Sequence, residues 1–169
     1  MIKPRNFRKQ NDIPLSLQLG CGWASWPKHV NIDIRDMGIN PQTKKPYVDI
    51  ICDIRDLPYD NGIVDTITAL DVLEHFKRDE WFEVLKHWIS KLKNGGIIHL
   101  RVPDMRVASV VETDDDYLSK FMYGGQDYEF NFHHTGFTAK MLCDALEKLN
   151  IKITKRFHNG GNVTVTGEK

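Results

Sequence analysis

The sequence predicts an α/β protein with a mostly parallel sheet that closes in an antiparallel hairpin. Three observations predict it. Short β-rich runs alternate with turns and helical stretches through the first two-thirds of the 169 residues. The run Leu17-Gln18-Leu19-Gly20-Cys21-Gly22 ends in two glycines one residue apart, and Asp33 follows on the next apolar stretch. Near the end, Asn159-Gly160-Gly161 separates two β-rich runs, which is a hairpin signal.

The elements follow in order. Residues 1–14 carry Lys3, Arg5, Arg8 and Lys9 but no apolar core, so they read as a polar arm rather than a secretory signal. Residues 15–169 then read as one domain. Strands are expected at Leu15–Gly20, Val30–Ile34, Val48–Asp53, Val64–Leu70 and Ile97–Val102. Only Cys21 to His29 separate the first two strands, with Trp23, Trp26 and Pro27 among them. Parallel neighbours normally need a crossover of about a dozen residues or more. The first crossover helix is therefore expected to be missing or a single turn, with Trp23 and Trp26 packed where it would lie. A helix from Arg78 to Lys93 places Trp81, Val84, Leu85, Trp88 and Leu92 on one face, and Asn94-Gly95-Gly96 is expected to stop it. A second helix, Thr138 to Asn150, turns Met141, Leu142, Ala145, Leu146 and Leu149 inward. Strands Ile151–Phe157 and Asn162–Thr166 complete the hairpin.

Composition narrows the function. Lys+Arg and Asp+Glu both number 23, so no net basic field favours nucleic acid. The apolar runs are too short to span a bilayer. Three widely spaced cysteines without a CxxC suggest reduced thiols and a cytoplasmic protein.

The glycine turn lets the backbone approach a ligand, because no Cβ intervenes. An acid at the tip of the next strand can accept from both hydroxyls of a ribose. The third glycine of a GxGxxG would fall at Ser25, and Asp33 comes earlier than the roughly 20-residue spacing of dinucleotide sites. No helix N-terminus is available for a pyrophosphate. The implied cofactor has a ribose and no need of phosphates. The tetrapeptide Asp-Ile-Arg-Asp occurs at 33–36 and again at 53–56, placing an acid at the tips of two successive strands, where open α/β sheets bind ligands.

Taken together, these motifs resemble the class I S-adenosylmethionine-dependent methyltransferases. Leu17 to Gly22 is similar to that family's first motif, and Val30-Asn31-Ile32-Asp33 to its ribose strand. The stretch from Asp53 to Asp65 is similar to the adenine loop and fourth-strand entry. Leu73-Glu74-His75-Phe76, Leu92-Lys93-Asn94-Gly95-Gly96 and Val102-Pro103-Asp104 resemble the later segments in family order. Tyr123-Gly124-Gly125-Gln126 and His133-His134-Thr135-Gly136-Phe137 look like a short subgroup of methyltransferase type 11-like chains. Gln18 stands where the family often carries an acid.

The resemblance implies a Rossmann-like fold, S-adenosylmethionine as cofactor, and methyl transfer to a small-molecule or sugar acceptor. By carry-over, the backbone at Gly20, Cys21 and Gly22 would approach the methionyl part. Asp33 would hold the ribose hydroxyls, and Asp53 and Ile54 the adenine. Leu70 and Asp71 would line the cofactor's edge. Asp53 reads equally as a turn cap. Catalytic candidates are His75 after the fourth strand, Asp104 at the tip of the fifth, and His133 and His134, of which at most one is expected to face the acceptor. Asp104 also reads as an N-cap for Met105–Val111. Residues 104–137 are the expected substrate cover, and their aromatics would serve a homodimer equally. Tyr117, Tyr123 and Tyr128 read as core or as an aromatic wall, core being the safer reading, and Asp114-Asp115-Asp116 as a solvated turn. Metal binding by His133 and His134, with Cys143 or Asp127 added, has no recognised ligand spacing. Two rivals stay open: a catalytically silent domain that binds S-adenosylmethionine or its demethylated product, and a dehydrogenase.

Overall fold

The computed structural model describes residues 14–169, so the expected polar arm lies almost wholly outside the described residues. Among these residues, seven strands form one sheet: β1 (Ser16–Leu19), β2 (Val30–Asp33), β3 (Ile50–Ile51), β4 (Val64–Leu70), β5 (Leu92–Pro103), β6 (Lys152–Asn159) and β7 (Asn162–Glu168). Their order is β3-β2-β1-β4-β5-β7-β6. The first five are parallel, and β7 runs antiparallel to both β5 and β6. This is the expected Rossmann-like mixed sheet with its terminal hairpin, turned at Gly160 in the left-handed region (φ 56°).

Among the described residues, four α-helices accompany it: α1 (Trp81–Lys91), α2 (Met105–Val111), α3 (Asp115–Tyr123) and α4 (Ala139–Lys148). The stripe Trp81, Val84, Leu85 and Trp88 is buried, as its spacing predicts, and joins Leu142, Ala145 and Leu146 of α4 in one core. That core sits on the sheet face formed by Leu17, Ile67, Ile98, Leu100 and Val165. The opposite face carries a polar row in register, Asn31, Gln18, Thr68, His99 and Thr166.

The first crossover, residues 20–29, contains no helix. Side chains of the polar row hold it instead: Gln18 Nε2 donates to the Ala24 carbonyl at 2.7 Å, and Asn31 Oδ1 accepts from the Trp26 amide at 2.8 Å. Trp23 and Trp26 do not pack where a helix would lie. They are 67% and 37% exposed, because this short loop turns their side chains outward instead of across the sheet. The second crossover, residues 34–49, also lacks a helix and is tied by an Ile39–Pro46 bridge.

Other expectations need correction. α1 ends at Lys91, two residues short of the expected Lys93. β5 starts at once, and a register shift between Val64/Leu92 and Thr66/Ile97 absorbs Lys93–Gly96. The segment 104–137 holds α2 with Asp104 as its cap, as one sequence reading had it, and in addition α3, which Asp114 caps through the Tyr117 amide at 2.8 Å. Tyr117 and Tyr123 are exposed and not core. Among the described residues no helix is long and apolar enough to cross a membrane.

Candidate active site

A cleft of about 460 Å³ opens beyond the carboxyl ends of β1, β2 and β4, within the range of small-molecule sites. Gly20 and Gly22 form one wall, with φ of 59° and 51°. A Cβ at Gly20 would lie 2.7 Å from Val72 Cγ2, whereas one at Gly22 would meet nothing within 4 Å. Gly20 is thus needed for conformation and fit, while Gly22 leaves bare backbone beside open space.

Asp33 faces this wall. Its Oδ2 accepts from the Gly22 amide at 2.8 Å and its Oδ1 from the Arg35 amide at 3.1 Å. A carboxylate has about four acceptor positions, so capacity remains for ligand hydroxyls. Asp53 also lines the cleft, but Arg55 already engages it, Nη2 to Oδ2 at 2.6 Å and amide to Oδ1 at 2.9 Å. The Arg55 side chain holds the Asp53 carboxyl below its usual range, against a smaller effect of burial. Asp53 therefore does act as the cap of a 3-10 turn, Ile54–Asp56. Ile54 lines the cleft beside it.

Asp71 stands at the mouth in the left-handed region (φ 56°), costly for a residue with a Cβ. Its carboxylate pairs with Arg101 through Nε at 2.8 Å and through Nη2. Leu70 and Cys21 are not among the lining residues. Leu70 belongs to the sheet, where its side chain alternates away from Asp71. The Cys21 side chain points inward, with Sγ 3.7 Å from the Tyr47 carbonyl. Burial, then Asp33, push its thiol up to about 12, so it is a packing group.

Of the catalytic candidates, His75 and His134 line the cleft. The His75 ring is fixed by Nδ1 at 3.0 Å from the Phe132 carbonyl. Burial pulls its pKa below the usual 6.5, opposed by the carbonyls of Phe132 and Asp71. The His134 amide donates to the Glu74 carbonyl at 2.8 Å, which anchors the loop, while its ring stacks on Phe132. His133 is not among the lining residues; its ring lies edge-on to His75 with ring centres 4.8 Å apart. Burial and the neighbouring His75 lower its pKa to about 4. Asp104 does not face the crevice. It is 3% exposed, caps α2 through the Arg106 amide (3.1 Å), accepts from the Ala139 amide at the start of α4 (2.8 Å), and meets His158 Nε2 at 3.0 Å. Three structural partners leave that carboxylate no path to a ligand.

Tyr128, read as core or as an aromatic wall, lines the cleft, and sequence reasoning missed Glu129 and Phe130, which reach it from the same segment after α3. Arg35 lies over the Tyr128 ring at 3.7 Å, tying that segment to the end of β2. The Asp-Ile-Arg-Asp motif placed Arg35 near the site, yet nothing in the sequence paired it with Tyr128. Glu74 was read only as part of a motif; the structure buries it completely. The lining carries five carboxylates (Asp33, Asp53, Asp71, Glu80, Glu129) against Arg55 and Lys77, so the cleft suits a cationic ligand better than a pyrophosphate.

The model of the methyltransferase domain family matches residues 17–156. No curated protein matches the chain. Among solved structures, a SAM-dependent methyltransferase from Thermotoga maritima superposes with a TM-score of 0.66 at 14% identity, covering 92% of this chain and 82% of that one. One from Methanosarcina mazei gives 0.65 at 15% identity, covering 95% and 94%. The 1,6-didemethyltoxoflavin-N1-methyltransferase of Burkholderia thailandensis, whose structure holds S-adenosylhomocysteine, gives 0.58 at 15% identity, covering 92% and 71%. These identities speak for the fold; the family match spans most of the chain. With the glycine turn, the strand order and the family model in agreement, the chain belongs to the S-adenosylmethionine-dependent methyltransferases.

Proposed function

We propose that the cleft holds S-adenosylmethionine against Gly20, Gly22 and Asp33 and presents its methyl to a small neutral or cationic acceptor, a metabolite or a sugar. One observation carries this reading: the Asp33 carboxylate is fixed on the Gly22 amide in a cleft with an excess of acid, which fits a ribose and a sulfonium together. The cofactor, when bound, supplies an already activated methyl, so the protein's contribution is alignment and removal of the acceptor's proton.

Each residue has a task. Asp33 accepts from the ribose hydroxyls. Ile54 and Ile34 flank the base, with Asp53 shared between Arg55 and the ring amine. Asp71, held by Arg101, offers negative charge near the sulfonium. Tyr128, Glu129 and Phe130 cover the acceptor side and exclude water. His134 takes the acceptor's proton, being a cleft histidine on a loop anchored through its amide. A second reading, a catalytically silent binding module, is favoured by the crossover without a helix, which leaves the methionyl end less covered.

Transfer of labelled methyl from S-adenosylmethionine to a panel of amines, hydroxyl metabolites and sugars tests the assignment. Turnover with one acceptor, reduced about 100-fold in His134→Gln at unchanged cofactor affinity, is the expected result. Full turnover in that variant removes His134 as the base. Tight cofactor binding with no transfer to any acceptor favours the silent module.

A further inference from the structure

Among the described residues, Glu74 is an anomalous side chain. It is 1% exposed, and neither carboxylate oxygen has a hydrogen-bond partner among the described residues. A buried carboxylate without partners is costly, and such groups are normally paired, protonated or bound to a cation. The Arg101 guanidinium is the cation whose charge Glu74 senses, but its hydrogen bonds go to Asp71. Two imidazoles stand beside Glu74. One ligand atom from each of Glu74, His75 and His133 lies within 4.8 Å of the others. Ligands at about 2.0–2.2 Å from one ion lie roughly 3–4 Å apart, so small side-chain rotations complete the set.

We propose that Glu74, His75 and His133 form a binding site for a divalent transition cation such as Zn²⁺, Mn²⁺ or Co²⁺. Two imidazoles and one carboxylate suit these borderline ions better than Mg²⁺ or Ca²⁺, which prefer all-oxygen sets. Three protein ligands leave coordination positions open, the pattern of sites that also bind water or substrate. The hydrogen bond from His75 Nδ1 to the Phe132 carbonyl is the outer contact that orients ligating histidines. The amides of His134 and Thr135 both donate to the Glu74 carbonyl, which locks the two ligand-bearing segments together. Because His75 lines the cleft, the cation would stand at its acceptor side. Its use there, polarising an acceptor oxygen, rests on the methyltransferase reading; the cation site itself does not.

The test is titration of the chelator-treated protein with Co²⁺, followed by visible absorption, and with Zn²⁺ by calorimetry, without cofactor or acceptor. One cation per chain is expected, with ligand-field bands from Co²⁺. Glu74→Gln, close to isosteric, and His133→Gln should each weaken binding at least about tenfold, while His29→Gln on the exposed crossover keeps it. Should Glu74→Gln fail to fold, His133→Gln carries the test. Absence of saturable binding, or wild-type affinity in both Glu74→Gln and His133→Gln, overturns the proposal. S-adenosylmethionine titrated into the same sample separates the two readings. Cofactor binding without a cation ends only this proposal, and cation binding without the cofactor ends only the cleft assignment.

Discussion

At the scale of single residues, the glycine turn is tightly constrained at Gly20. Gly20 needs a positive φ and has Val72 where a Cβ would go. Gly20→Ala should lower stability by about 1–3 kcal/mol, from the left-handed backbone and the contact together. Val72→Ala removes the steric part, so Gly20→Ala should cost less in a Val72→Ala background than in wild type. Urea denaturation of wild type, both single variants and the double variant checks this; an equal cost in the two backgrounds would place the whole effect in the backbone. The glycines and Asp33 were legible in the sequence because both rest on local rules, a turn without Cβ and an acid at a strand tip. Glu74 was not legible. Its burial beside two histidines depends on residues 132–135 folding back onto the turn after β4, a contact between segments some sixty positions apart.

At the scale of elements, Asp104 joins α2, α4 and β6 at one carboxylate. The sequence offered both a cap and a catalytic acid for it, since a residue after a strand-ending proline satisfies both patterns; only the approach of α4 and His158 decides. Burial pushes its pKa up, but the His158 ring and the amides of Ala139, Arg106 and Val107 outweigh that and hold it below the usual 3.8. The unfolded chain then takes up this proton at higher pH than the native one. The stabilisation is present above about pH 3.8 and is lost as pH falls through the lower native value. Asp104→Ala should cost about 2–4 kcal/mol near neutral pH, from lost caps and a stranded His158. Asp104→Asn should flatten the fall in melting temperature on acidification below about pH 4. Melting curves across that range decide, and an unchanged acid slope would remove Asp104 from the linkage. The helix α1 was readable from its stripe, whereas α3 was not, because its sequence buries no residue.

At the scale of the whole molecule, one sheet face is packed by helices and the other carries a polar row across five strands. The alternation of strands with helices and the Asn159-Gly160-Gly161 turn made the mostly parallel sheet and its antiparallel hairpin legible. What the sequence withheld was where two helix-free crossovers direct their side chains: Trp23 and Trp26 point to solvent, and Gln18 takes up the crossover's backbone instead. The helix-free side leaves the cleft walled by a bare glycine turn, an acid and the 128–130 segment, and the methyltransferase assignment depends on that wall holding an adenosyl sulfonium. Calorimetric titration of S-adenosylmethionine into wild type and Asp33→Ala, with NAD as the comparison ligand, tests it most directly. The account predicts saturable binding of S-adenosylmethionine to wild type, none of NAD, and an affinity about 100-fold lower in a folded Asp33→Ala protein, the loss of two charge-assisted hydrogen bonds. Equal affinity in the two proteins, or saturation by NAD alone, would contradict it.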